Sequence, residues 1–201
     1  MITDTPFAGT WYPATKDGIL EQIRTFDELA KVPVKLRKRA NAGIVPHAGW
    51  VYSGVVAYEV WKYLAQNDPD VVILFGGHLQ SHQRPMILNA EGFETPLGQI
   101  QLESRVVDAL IGSFRFKEIR ESTWIPDNTI EVQIPMIQHL MPKAKLVVVL
   151  TPPRDMILDL ADRLGEILRY HDLKAISVGS TDLTHYGPRY GNTRHGSGAS
   201  A

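Results

Sequence analysis

A three-layer α/β/α domain with a mixed, largely parallel central sheet is the fold class the sequence predicts, and three observations predict it. Short runs dense in valine, isoleucine and leucine, such as VVILF and LVVVL, read as strands buried on both faces. Amphipathic helical patterns alternate with those runs, which is the order that builds a parallel sheet under helices. One stretch, FETPLGQIQL at 93–102, interrupts the alternation with a proline, a glycine and every-other-residue apolar positions, and so predicts a hairpin or antiparallel excursion.

The elements follow in chain order. A helix is expected over 16–30, then a strand over 42–46 that ends just before His47. Gly49, Ser53 and Gly54 offer the backbone freedom of a turn there, so the next helix is placed at 54–66. Strands at 71–76 and 85–89 precede the predicted hairpin, and a helix is expected over 103–111. A single helix over 129–140 carries Ile130, Ile134, Ile137 and Leu140, with Glu131 on its first turn, where the helix dipole favours an acid and from which it could reach a crevice. A strand over 145–150 leads to the clearest helix, DMILDLADRLGEILRYH, in which Ile157, Leu160, Ala161, Leu164 and Leu168 recur at helical spacing behind Asp155 as the expected cap. The last strand is expected over 174–179.

Composition narrows the function. The 201 residues are of single-domain length, and 21 basic against 22 acidic residues give a net charge of -1, so no global field favours nucleic acid or an anionic membrane. No apolar run is long enough to span a bilayer and the N-terminus lacks a targeting pattern, which predicts a cytoplasmic protein. Cysteine is absent, which removes disulfides, thiolate nucleophiles and thiolate ligands from this chain. Ser53 lacks the flanking glycines of a nucleophile elbow, which argues against a serine hydrolase. The basic run KLRKR at 35–39 reads as a solvated rim.

Three strands end in chemistry-bearing residues: GIVPH in His47, VVILFGGH in His78, and AISVGSTDLTH in Asp182 and His185. Ligands bind at the carboxyl ends of strands in open α/β sheets, so three histidines and an aspartate are expected in one crevice as a metal or acid/base constellation. Gly76 and Gly77 permit a sharp turn before His78. A helical turn after the last strand would put Asp182 and His185 on one face, with the carboxylate orienting the imidazole; alternatively Asp182 caps that turn. Trp11, Trp50, Tyr52 and Tyr186 are candidates for the groove wall, while His82, His139, His171 and His195 read as structural.

The motifs FAGTWYP, VPHAGWVYSGVVA, FGGH, TPLGQIQLE, DNTIEVQIP and GSTDLTHYGPRYG resemble, in order and across nearly the whole chain, the Memo family, also called AmmeMemoRadiSam system protein B. That resemblance implies a fold similar to class III extradiol dioxygenases and a metal-binding cleft, with His47 and His78 as metal ligands. It places Asp182 and His185 in the same cleft, His185 as a catalytic histidine. Iron or copper is the implied cofactor for a dioxygenase-like redox enzyme, with zinc for a hydrolase. The alternative is a non-enzymatic module that binds a peptide or small ligand, and the family's bacterial and archaeal members imply a radical SAM partner. The sequence departs from the family pattern where Asp127, Asn128 and Thr129 stand in place of Glu-His-Ser, which replaces a titrating cleft histidine with an amide. Family members also continue beyond THYG to a Cys-Gly motif that supplies a third ligand. The expectation is therefore one Memo-like domain over 1–201, incomplete at its C-terminus as a fragment or a truncated product.

Overall fold

Two of the central strands, Val71–Gly76 and Lys145–Leu150, are continuous apolar runs because both of their faces are covered. In the computed structural model, which describes residues 2–30 and 40–194, β2 (Ala42–Val45), β3 (Val71–Gly76), β8 (Lys145–Leu150) and β9 (Ala175–Ser180) pair in parallel in the order β2-β9-β3-β8. The sheet then reverses: β4 (Met86–Asn89) runs antiparallel to β8, and β7 (Lys117–Arg120) runs parallel to β4 at the far edge. A second sheet joins β1 (Ile2–Thr3) to the hairpin β5 (Gly92–Thr95) and β6 (Gly98–Gln101), with Gly98 at φ 104° closing the turn. The basic run 35–39 and His195 lie outside the described residues.

Alternation along the strands sorts the core into two. Val72, Leu74, Leu146, Val148, Ile176 and Val178 face one layer, made by α1 (Lys16–Leu29), α2 (Trp50–Leu64), α4 (Asn128–Glu131) and α5 (Ile134–Leu140) with the small sheet. Val71, Ile73, Ile87, Val147 and Val149 face the other, made by α3 (Ser104–Ser113) and α6 (Met156–Tyr170). The three-layer, mixed and largely parallel arrangement is thus the one expected.

Several boundaries differ from expectation for local physical reasons. The helix expected at 54–66 starts a full turn earlier, at Trp50, so Ser53 and Gly54 are helical rather than part of a turn. The start carries no side-chain cap; the Trp50 N–H instead donates to the Trp11 carbonyl at 2.8 Å, a partner far away in sequence. Gly54 is there because Phe26 of α1 occupies the space a side chain would fill. The helix expected over 129–140 is two helices, since Pro135 has no N–H to continue the ladder. Asp155 stands at the start of α6 but its side chain makes no capping bond. The short strand β7 carries a single buried apolar residue, Ile119, too little to read as a strand. Trp50 is 2% exposed and donates through Nε1 to the Val132 carbonyl, so it belongs to the core and not to a groove.

Glu131 also departs from expectation. It is 2% exposed and faces away from any crevice, accepting the Phe7 N–H at 2.7 Å and the Tyr12 hydroxyl at 3.1 Å through Oε1. Burial is the main cause that pushes its carboxyl up to about 7, although these donors hold it down. The same burial raises the Tyr12 phenol.

Two outcomes follow from this packing. Replacing Gly54 by Ala drives a methyl into the Phe26 ring and should lower unfolding free energy by roughly 1–3 kcal/mol in denaturant titrations. A carboxyl raised from the ordinary 4.5 to about 7 binds its proton more tightly in the folded state. Its contribution is full below pH 4.5 and is lost as pH rises to about 7, roughly 3 kcal/mol in all. Glu131→Gln keeps an acceptor oxygen, so the wild-type stability relative to this variant should fall across that window and level off above it.

Candidate functional site

His47 follows β2 after Pro46, His78 follows β3 after Gly77, and Asp182 and His185 follow β9. Because β2, β9 and β3 are adjacent and parallel, their carboxyl ends open at one place, and all four residues line a single cleft of about 490 Å³. The rings of His47 and His78 meet edge to face with centroids 5.5 Å apart. His47 Nε2 lies 3.8 Å from Asp182 Oδ2, and His185 Nε2 lies 3.4 Å from the same oxygen. His78 Nδ1 lies 3.6 Å from Oδ2 of Asp127, a residue not singled out as a site candidate in the sequence.

Both carboxylates are anchored in the same way. Asp182 accepts the His47 N–H through Oδ1 at 2.9 Å, and Asp127 accepts the Thr129 N–H through Oδ1 at 2.9 Å as the cap of α4. Each therefore turns its Oδ2 to an imidazole. The chain from Asp182 to His185 forms neither a helical turn nor a cap of its own; a bond to another strand's loop does the positioning. His47 is nearly buried, with Nδ1 3.5 Å from Ser180 Oγ on β9. Burial, with the neighbouring His78 adding to it, holds the His47 imidazole below the usual histidine range against the pull of Asp182. The neutral form, the one that ligates metals, is thereby favoured.

The segment 127–133 sets this geometry. Asn128 Nδ2 donates to the His47 carbonyl at 3.1 Å, so this amide holds a loop in place. Thr129 Oγ1 accepts the Gly77 N–H at 2.7 Å, and Gly77, at φ 93°, makes the sharp turn into His78. Gly76 has no room for a side chain because Thr129 occupies it. Gln133 Nε2 donates to the Pro46 carbonyl at 2.8 Å while its Oε1 accepts from Trp61 Nε1 at 2.8 Å.

Trp11 and Tyr52 line the cleft as expected; Thr10 and Tyr190 join them, and Tyr190 packs on the His185 ring at 4.9 Å between centroids. No sequence signal marked Tyr190 beyond its place in the last motif, whereas Asp127 could have been found as the residue before a helix. His82 sits in an exposed turn, and His139 and His171 lie at the ends of α5 and α6, which agrees with structural roles. Among the described residues no group of three or more His, Cys, Asp or Glu is placed to hold a metal ion. The donors present come in pairs, His47 beside Asp182 and His78 beside Asp127, and the two rings are 5.5 Å apart between centroids. No helix among the described residues is long and apolar enough to cross a membrane.

Residues 4–200 match the family of Memo-like proteins. The chain is 33% identical over 206 residues to a MEMO1 family protein of Caldivirga maquilingensis, covering 94% of this chain and 71% of the relative. It is 31% identical to a MEMO1 family protein of Thermotoga neapolitana, with 92% and 71% covered, and 28% identical to one of Thermococcus onnurineus, with 95% and 68% covered. With its fold, its cleft and a match over nearly its whole length, the chain belongs to the Memo-like protein family.

Proposed function

We propose that the cleft is a metal-dependent reaction site in which His47 and His78 hold a transition metal ion and Asp182 and His185 manage a proton beside it. The observation that carries this reading is the His47–His78 pair: two imidazoles from the ends of two different strands, edge to face at 5.5 Å, each with a carboxylate close by. An ion bound there would supply Lewis acidity, and iron or copper would add redox chemistry while zinc would favour hydrolysis.

The remaining work falls to the chain's own groups. Asp182 fixes the His47 backbone and Ser180 Oγ lies beside its ring, which together hold the imidazole at the cleft. His185 is half exposed and sits 3.4 Å from Asp182 Oδ2, so it can take a proton from a cleft-bound molecule and pass it to solvent while the carboxylate orients its ring. Trp11 and Tyr52 shape the mouth and restrict what enters.

Metal titration with a competing chromophoric chelator tests the hold directly. His47→Gln and His78→Gln should each weaken zinc or copper binding by more than about 100-fold, since even outer contacts are worth about 10–100-fold. Ser180→Ala should fall within that outer range. Unchanged affinity in both histidine variants would overturn the reading. His185→Gln should leave metal affinity unchanged and shift or remove the acidic limb of any metal-dependent pH–rate profile, since a general base is lost on protonation; a loss of metal instead would make His185 a ligand and not a proton carrier.

A further inference from the structure

The small sheet meets the central sheet where the chain leaves β6. Leu102 forms a single parallel bridge to Leu146 of β8, and the Glu103 N–H donates to the Leu146 carbonyl at 2.8 Å. Counting back in that register sets Gln101 against Lys145 and Gln99 against Lys143. Side chains alternate between faces along both segments. Ile100, Leu102, Ala144 and Leu146 belong to the buried core, so Gln99, Gln101, Lys143 and Lys145 share the opposite face. Those four residues line a cavity of about 400 Å³ that has no lining residue in common with the cleft.

The wall of this cavity is cationic. Among the described residues no carboxylate lines it. Glu103, further along the chain, lies with Oε2 3.7 Å from Lys145 Nζ, but Arg105 takes both of its oxygens, at 2.7 Å through Nε and 3.1 Å through Nη2. Arg105 is the main cause that holds the Glu103 carboxyl below the usual carboxylate range, with Lys145 adding to it. Three cations, Arg105, Lys143 and Lys145, thus stand against one acid. The side chains of Lys143, Gln99 and Gln101 have no hydrogen-bond or ion-pair partner among the described residues. Gln138, also in the wall, is already spent: Oε1 accepts from Thr95 Oγ1 at 2.6 Å and Nε2 donates to the Gly98 carbonyl at 2.9 Å. Leu97 and Pro142 add apolar surface.

We infer that this cavity binds the phosphoryl group of a small molecule, with the ammonium groups of Lys143 and Lys145 on its charge and the side-chain amides of Gln99 and Gln101 on its oxygens. A phosphoryl dianion carries the charge that two lysines match and the acceptor oxygens that two amide donors need, and lysine meets phosphate as a point charge without a fixed fork. Neighbouring strands lie about 4.8 Å apart and alternate residues of one strand about 6.6 Å apart, a frame that long side chains can close around one such group. A neutral sugar brings no charge to this wall, and a monocarboxylate leaves one lysine unmatched.

The test titrates the whole chain, freed of metal, with phenyl phosphate, inorganic phosphate, succinate and phenol at constant ionic strength. Calorimetry reads the affinity, and the side-chain amide NMR signals of Gln99 and Gln101 read the place. Phenyl phosphate should bind with Kd below about 1 mM and shift both amide signals saturably. Succinate, whose charges sit apart, should bind more weakly, and phenol should leave the signals in place. Inorganic phosphate binding as tightly as phenyl phosphate marks a site for the free ion, and weaker binding marks a site for an ester; both keep the phosphoryl assignment. Lys143→Gln and Lys145→Gln should each weaken phenyl phosphate by about fivefold or more, the loss of one hydrogen bond to a charged group. Lys16→Gln makes the same change of net charge at an exposed position on α1 and should leave the affinity unchanged. Absence of saturable shifts at Gln99 and Gln101 overturns the site. An equal loss in Lys16→Gln overturns it too, by showing binding through overall charge, and succinate binding as tightly as phenyl phosphate overturns the phosphoryl assignment.

Discussion

The grip of one short segment, residues 127–133, on the ends of the strands is the constraint on which the rest of the cleft depends. Strand ends are where backbone groups leave the sheet ladder and need new partners. Thr129 satisfies Gly77, Asn128 satisfies the His47 carbonyl, Gln133 satisfies the Pro46 carbonyl, and Asp127 caps its own helix while facing His78. Successive residues of a helical turn point in different directions, so Asn128 and Thr129 reach different loops from adjacent positions.

Within that segment, Glu131 ties the cleft to the N-terminus. Its carboxylate takes the Phe7 N–H and the Tyr12 hydroxyl, and the loop between them carries Thr10 and Trp11 into the cleft wall while the Trp11 carbonyl receives the first N–H of α2. Burying a carboxyl group costs free energy, seen in its raised pKa, and the bonds it accepts offset part of that cost. The result is a wall joined by specific polar bonds to the helix that also positions the histidines, so cleft shape and histidine placement are one packing problem.

His78 lines the cleft and also a second cavity, of about 310 Å³, whose wall mixes the aliphatic Met86, Ile119, Ile125 and Leu150 with Lys117, Glu118 and Asp127. The cleft itself gathers imidazoles, a carboxylate and aromatic rings, so the two walls present different chemistry.

By itself the sequence determined the fold class and the chemistry-bearing residues. Valine-rich runs ending in His47, His78 and Asp182–His185 carry both the strand signal and the site signal in adjacent positions, because periodicity and residue type are local properties. Tertiary structure decided the rest. That β2, β9 and β3 are neighbours, so that three distant loops converge, depends on strand order, which no local pattern encodes. Asp127 reached His78, Glu131 turned inward to Phe7 and Tyr12, and Trp50 went to the core, each through partners more than 40 residues away. The start of α2 is set in the same way, since its first N–H finds its acceptor on Trp11 and its glycine makes room for Phe26. Local sequence can state what a residue is able to do; which partner it meets is settled only when the layers pack.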